Sequence, residues 1–110
     1  MKLPNAENAI VAREKVLNYL LNPTHRFGAS KARFFGEFGF AADAWEQLAT
    51  ALHEHGIIHE VTRTRETGFG TRYLVEGDLP APDGRSPLVR SVWQFDYGTV
   101  APRLITAYPL

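Results

Sequence analysis

The chain has 110 residues, with twelve Lys and Arg balanced by twelve Asp and Glu, four histidines and no cysteine. That length suits a single domain with one packed core, and a hydrophobic content of 45% lies at the low edge of the globular range. The missing cysteines exclude a disulfide framework, an iron–sulfur cluster, a thiolate zinc site and a cysteine nucleophile. A formal charge of zero argues against a generally basic nucleic-acid binder and leaves room only for a local basic patch. No apolar run approaches the roughly 20 residues of a membrane span, and the start, Met1-Lys2-Leu3-Pro4, lacks the pattern of a signal peptide. The expectation is a cytoplasmic protein without a membrane partner.

Taken in chain order, Leu3–Val11 fits either an extended lead-in or a loose helix. Arg13–Leu21 places Val16, Leu17, Leu20 and Leu21 on one helical stripe, and Asn22-Pro23 stops it. A second helix is expected over Ser30–Phe38, with Ser30 as N-cap, Phe34, Phe35 and Phe38 as the apolar face, and Gly39 as the left-handed stop. In the third, Asp43 and Glu46 have the spacing of a capping box. Trp45, Leu48, Ala49 and Leu52 form its buried stripe, and Gly56 marks its end.

From Ile57 the period changes to two. Ile57–Arg65 sets Val61, Arg63 and Arg65 against Glu60, Thr62 and Thr64. Thr67-Gly68-Phe69-Gly70 turns into Thr71–Glu76, where Thr71, Tyr73 and Val75 share a face. Pro82-Asp83-Gly84 is a turn in which Pro fixes φ, Asp bonds the backbone and Gly takes positive φ. Leu88–Phe95 alternates Val89, Ser91, Trp93 and Phe95 with Leu88, Arg90, Val92 and Gln94; Asp96-Tyr97-Gly98 turns again, and Arg103–Tyr108 ends the set. The pattern predicts an α+β domain with two or three N-terminal helices packed on one face of a four-stranded antiparallel meander sheet. Leu17, Leu20, Phe35, Trp45, Leu48, Leu52, Val61, Val75, Trp93 and Leu104 are expected in its core.

The segments Lys15…Tyr19-Leu20-Leu21-Asn22, Gly28…Lys31-Ala32-Arg33-Phe34-Phe35, Pro82-Asp83-Gly84-Arg85 and Pro102-Arg103-Leu104-Ile105-Thr106-Ala107-Tyr108-Pro109 carry a resemblance. With Leu3-Pro4, Gly70…Tyr73 and Trp93, they resemble an uncharacterised bacterial domain family of about this length, catalogued without a function. The likeness covers almost the whole chain, and Lys31–Phe35 and Pro102–Pro109 are its most specific blocks. The helices-then-sheet plan also resembles, more loosely, the barnase, EndoU, colicin and RelE-type ribonuclease toxins. That likeness implies RNA cleavage without a metal or other cofactor, by basic and hydroxyl side chains on the sheet and first helices.

Candidate catalytic residues are His25, Lys31, Arg103, Thr106 and Tyr108, with Lys15, Arg72 and Arg90 as substrate-binding residues and no metal ligands. RNA cleavage needs a base for the 2′-hydroxyl, an acid for the leaving oxygen and cations for the phosphorane charge. Histidine titrates near neutrality, the start of a helix favours an anion at Lys31, and Arg103 suits a bidentate phosphate contact. Thr106 and Tyr108 alternate on one face of their strand, together with Leu104. The competing reading makes Lys15 and Lys31 solvated helix residues, His25 a turn cap and Arg103 half of an ion pair. Arg63, Arg65, Arg72 and Arg90, with Phe69, Tyr73 and Trp93, suggest a surface for single-stranded RNA, although Trp93 reads as core.

His53-x-His55-x3-His59 is no metal site by spacing, since residues i and i+2 of a helix point about 200° apart. His53 and His55 fit the carbonyl end of their helix instead. Two functions compete: a metal-independent endoribonuclease-like toxin domain with RNA as partner, and an immunity or antitoxin-type module binding a cognate small protein. A structural domain without chemistry is the third reading.

Overall fold

A computed structural model describes residues 1–110. Helix α1 covers residues 13–20 as an α-turn over Arg13–Lys15 continued by a π-helical turn over Val16–Leu20. Helix α2 is Ala29–Glu37, and α3 is Trp45–Ile58, entered through a 3-10 turn over Ala42–Ala44. Strands β1 (Val61–Thr67), β2 (Gly70–Asp78), β3 (Leu88–Asp96) and β4 (Arg103–Pro109) form one antiparallel sheet in the order β1-β2-β3-β4. The expected α+β meander with helices on one face is therefore the fold. The lead-in is mostly extended, with a short 3-10 turn over Ala6–Asn8; Leu3 and Ala6 reach the core, and Ile10 bridges to Arg103 on β4.

Pairing explains which side each strand residue takes. Val61, Val75, Ser91 and Ala107 lie in one cross-strand row, and Thr64, Tyr73, Trp93 and Leu104 in the next, both facing the helices. Val16, Leu20, Phe35, Leu48, Leu52, Val75, Val89 and Trp93 are fully buried in one cluster. Of the expected core, Leu17, Trp45 and Val61 are only half-buried. Gly56 lies inside α3 rather than ending it, and its role is close packing: a Cβ there would sit 2.7 Å from the Trp93 ring.

Several local expectations are corrected. Gly28, not Ser30, is the N-cap of α2, and no side chain caps it. The Asp43–Glu46 capping box does not form, because the 3-10 turn makes Ala44 the N-cap of α3. Since α3 runs on to Ile58, β1 begins at Val61 rather than Ile57. A bulge between Val61 and Arg63 turns Val61 to the helices, and Arg63 and Arg65 to the opposite face. A second irregularity, opposite Val92 and Trp93, separates Leu104 from Thr106, so these two do not share a face. The Pro82-Asp83-Gly84 turn forms as expected, with Gly84 at φ +90° and Asp83 accepting from the Arg85 backbone N–H at 2.9 Å.

A buried polar network locks α3 to the sheet. Trp93 Nε1 donates to Ser91 Oγ at 2.8 Å, and Ser91 donates to His55 Nδ1 at 2.8 Å. His55 Nε2–H is shared between the carbonyls of Gly77 and Val89, each at 3.0 Å. This bonding requires a neutral ring protonated on Nε2. Burial, aided by the neighbouring His59, holds the His55 pKa below the ordinary histidine value, while the two carbonyls oppose the shift. No buried side-chain nitrogen or oxygen lacks a partner. His55 thus lies in the last turn of α3, as expected, but as a buried neutral ring of the core and not as a cation facing the helix carbonyls.

Candidate functional site

The sheet face turned away from the core carries three cross-strand rows. Glu76, Arg90 and Tyr108 make the first, joined by Thr62 of the β1 bulge through its hydroxyl on Glu76 Oε2 at 2.9 Å. Arg63, Leu74, Val92 and Thr106 make the second, and Arg65, Arg72, Gln94 and Arg103 the third. Between them lies a groove of about 250 Å³ with Leu74, Val92 and Ile105 as floor, Arg63, Arg65 and Arg72 on its rim, and Thr106 and Tyr108 as walls. No carboxylate lines it.

The first row is electrically closed. Arg90 meets Glu76 Oε2 at 2.8 Å and reaches the Tyr108 hydroxyl at 3.4 Å. The Thr62 hydroxyl, with help from Arg90, holds Glu76 below the usual carboxylate range, and Tyr108 with Glu76 raises the Arg90 pKa. Arg90 thus orients Tyr108 instead of offering a free charge. In the third row Arg103 is tied to Asp96 at 2.7 Å, and Arg72 Nε donates to buried Gln94 at 3.1 Å. Arg63, Arg65 and Arg72 have no acidic partner.

At the β4 edge the helical half joins this face through Tyr19. Its hydroxyl lies 2.9 Å from Thr106 Oγ1. Lys15 Nζ stands 5.2 Å and Lys31 Nζ 5.5 Å from its ring centre, within cation–π range. The His25 ring meets it edge-on at 5.0 Å. Neither lysine has a carboxylate partner; Lys31 donates only to the Phe27 carbonyl, at 3.1 Å.

Local sequence explains how the cluster is held. The π-helical turn, closed by Leu21 N–H on Val16 O at 2.8 Å, keeps Val16 and Leu20 in the core while Tyr19 points to β4. Such turns recur at functional sites. Gly28 permits the approach of the following loop, because a Cβ there would fall 2.1 Å from the Tyr19 carbonyl oxygen. His25 Nδ1 accepts from the backbone N–H groups of Phe27 and Gly28, both at 3.0 Å. Its neutral ring therefore carries the proton on Nε2 and acts as a hydrogen-bond donor; an imidazole bonded this way has no lone pair free to serve as a base.

The structure thus brings Lys15, His25, Lys31 and Thr106 together around Tyr19, and Arg72, Thr106 and Tyr108 around the adjoining groove. Arg103 is spent on Asp96 and Arg90 on Glu76. Tyr73 and Trp93 face the helices, while Phe69 is exposed at the β1–β2 turn. Sequence reasoning missed Tyr19; its signal was a lysine four residues earlier on the same helical face. No group of His, Asp and Glu has the arrangement of a metal site, and no helix is long and apolar enough to cross a membrane.

Fold and site define a small α+β domain whose core lies between helices and sheet, with an open sheet face that is basic and rich in hydroxyls. Residues 2–110 match the family described as Domain of unknown function (DUF6883), and the chain belongs to it. No curated protein matches it in sequence. Among solved structures it is similar to a chain of a contact-dependent growth inhibition toxin–immunity protein complex from Klebsiella pneumoniae 342. That likeness has a TM-score of 0.74 over 94% of this chain and 95% of the other; at 17% identity it shows the shared fold.

Proposed function

We propose that this protein is an endoribonuclease-like toxin domain that works without a metal. The observation that carries the reading is the meeting of Lys15, His25 and Lys31 around Tyr19, whose hydroxyl bonds Thr106 beside an arginine-rimmed groove. Cations and hydroxyls without carboxylates suit an anion directly, as a phosphodiester requires, rather than a metal ion. In the step proposed, the RNA 2′-oxygen bonds to phosphorus as the P–O5′ bond breaks. The proton lost by the 2′-hydroxyl is regained by the departing 5′-oxygen. The Tyr19–Thr106 hydroxyl pair, already hydrogen-bonded, is a two-group path for that proton, and Lys15, Lys31 and His25 Nε2–H stabilise the charge gathered on the phosphorane. Purified protein is expected to fragment tRNA, rRNA or mRNA and to slow the growth of cells that make it; intact RNA and normal growth would overturn the reading.

A second reading, an immunity-type module that binds a cognate protein, draws on two observations. The fold is shared with a chain from a toxin–immunity complex. In addition, residues 42–58 carry Asp43, Glu46 and Glu54 with no Lys or Arg, an acidic side fit for a basic partner. Recovery of a stable complex from the native cell at high salt supports this second role. Recovery of the chain alone at every salt concentration counts against it.

A further inference from the structure

Resting on the ribonuclease reading, we propose that the groove on the open sheet face holds one unpaired nucleobase while the Tyr19 cluster holds the phosphate of the same nucleotide. The substrate class is therefore RNA in an unpaired stretch, not a duplex. Three features of the face carry this.

The first is the floor. Leu74, Val92 and Ile105 form an apolar base beneath arginines, and Val92 is only 5% exposed. Phosphates alone gain nothing from apolar contact, whereas the flat face of a base does. The second is size. At about 250 Å³ the groove falls just below the ~300 Å³ at which pockets for drug-sized ligands begin, room for one ring system and not for a helix backbone. The Tyr108 wall is fixed by its hydroxyl contact with the Arg90–Glu76 pair, and the guanidinium planes of Arg63 and Arg72 can stack on a base as well as contact phosphate.

The third is continuity. Thr106 lines the groove and bonds Tyr19, so the base floor and the paired lysines share a wall. A nucleotide with its base on Leu74 and Val92 brings its phosphate to the cluster at Thr106. A base stacked within a duplex cannot enter a one-base groove without leaving its neighbours, which costs the duplex its pairing at that position.

The test compares three probes on the full chain by fluorescence anisotropy and competition: a 12-nucleotide single-stranded RNA, the duplex of the same sequence, and uridine 3′-monophosphate. The single strand is expected to bind at least about tenfold tighter than the duplex, the scale of one base stack, and the mononucleotide to compete weakly but measurably. Leu74→Lys adds positive charge while filling the floor. It is expected to abolish the single-strand advantage and leave duplex binding equal or stronger. Tyr108→Ala, which tests the wall without touching the floor, is expected to weaken single-strand binding three- to tenfold with an unchanged salt slope.

Equal affinity for single strand and duplex, or full single-strand affinity in Leu74→Lys, overturns the base site even if RNA is still cut. Mononucleotide binding as tight as the oligonucleotide also overturns it, in favour of a free nucleotide ligand. Single-strand binding lost in Leu74→Lys, without cleavage by the wild type, keeps the base site and overturns the ribonuclease reading instead. Binding of no RNA at all overturns both.

Discussion

The two sides of the sheet make opposite use of their polar groups. Between the helices and the sheet the polar groups close on one another: Trp93, Ser91 and His55 form a chain ending on the Gly77 and Val89 carbonyls, and residues 42–58 carry acidic side chains but no Lys or Arg. On the open side Arg63, Arg65 and Arg72 have no acidic partner, nor have Lys15 of α1 and Lys31 of α2 where the helices meet its β4 edge, and hydroxyls line the space between. A balanced composition thus conceals a local basic surface as readily as it reports a neutral one, since Arg63, Arg65 and Arg72 gather around one groove that no carboxylate lines. The interior network serves stability, and the open face is the one proposed to serve recognition.

Substitutions that strike one side should leave the other's property alone. The largest effect is expected from Trp93→Ala, which removes the largest buried side chain and orphans a hydrogen bond to Ser91. Urea unfolding should show a loss of about 3–5 kcal/mol, with RNA affinity per folded molecule unchanged. Next comes Tyr19→Phe: RNA cleavage should fall about 100-fold, the scale of one lost transition-state contact, while unfolding changes by only ~0.5–1.5 kcal/mol for one partly exposed hydrogen bond.

Acid should separate the sides further. His55 has a folded-state pKa below its unfolded value because burial disfavours the charged ring. The unfolded chain therefore binds the extra proton first, and stability falls as pH drops below about 6.5 and down to the folded pKa. For one proton the slope reaches at most ~1.4 kcal/mol per pH unit. Thermal unfolding from pH 8 to 5 should show this decline, and His55→Gln should flatten it; an equal slope in the variant would assign the acid sensitivity elsewhere. The smallest effect concerns one rim charge. Arg63→Gln should reduce the salt dependence of single-strand binding by about 0.7 in log–log slope, the share of one phosphate contact, with stability within ~0.5 kcal/mol.

The order of elements was legible because the apolar period changes from that of a helix to that of a strand near Gly56, and the turn signals lie between the strands. The two strand irregularities were not. Val61, Arg63 and Arg65 alternate equally well in a straight strand, and only pairing with β2 shows that the phase slips between Val61 and Arg63. The same holds for Leu104 and Thr106 against β3. The π-helical turn brings Tyr19 against Thr106 and Gly28, the first of them remote in sequence, and local propensity carries no sign of that meeting. At the site, Lys15, His25, Lys31 and Thr106 could be nominated by chemistry, but their convergence needed the fold. Arg103 looked equally suitable until Asp96, seven residues earlier across a turn, was seen to hold it.

The unpaired cations around Tyr19 are proposed to act on RNA and to do little for folding. The direct measurement is a Lys15→Met, Lys31→Met double variant, assayed beside the wild type for RNA cleavage and for urea unfolding. Loss of cleavage by about 100-fold or more, with unfolding free energy within ~1 kcal/mol of wild type, is the expected result. Undiminished cleavage by the double variant would contradict it.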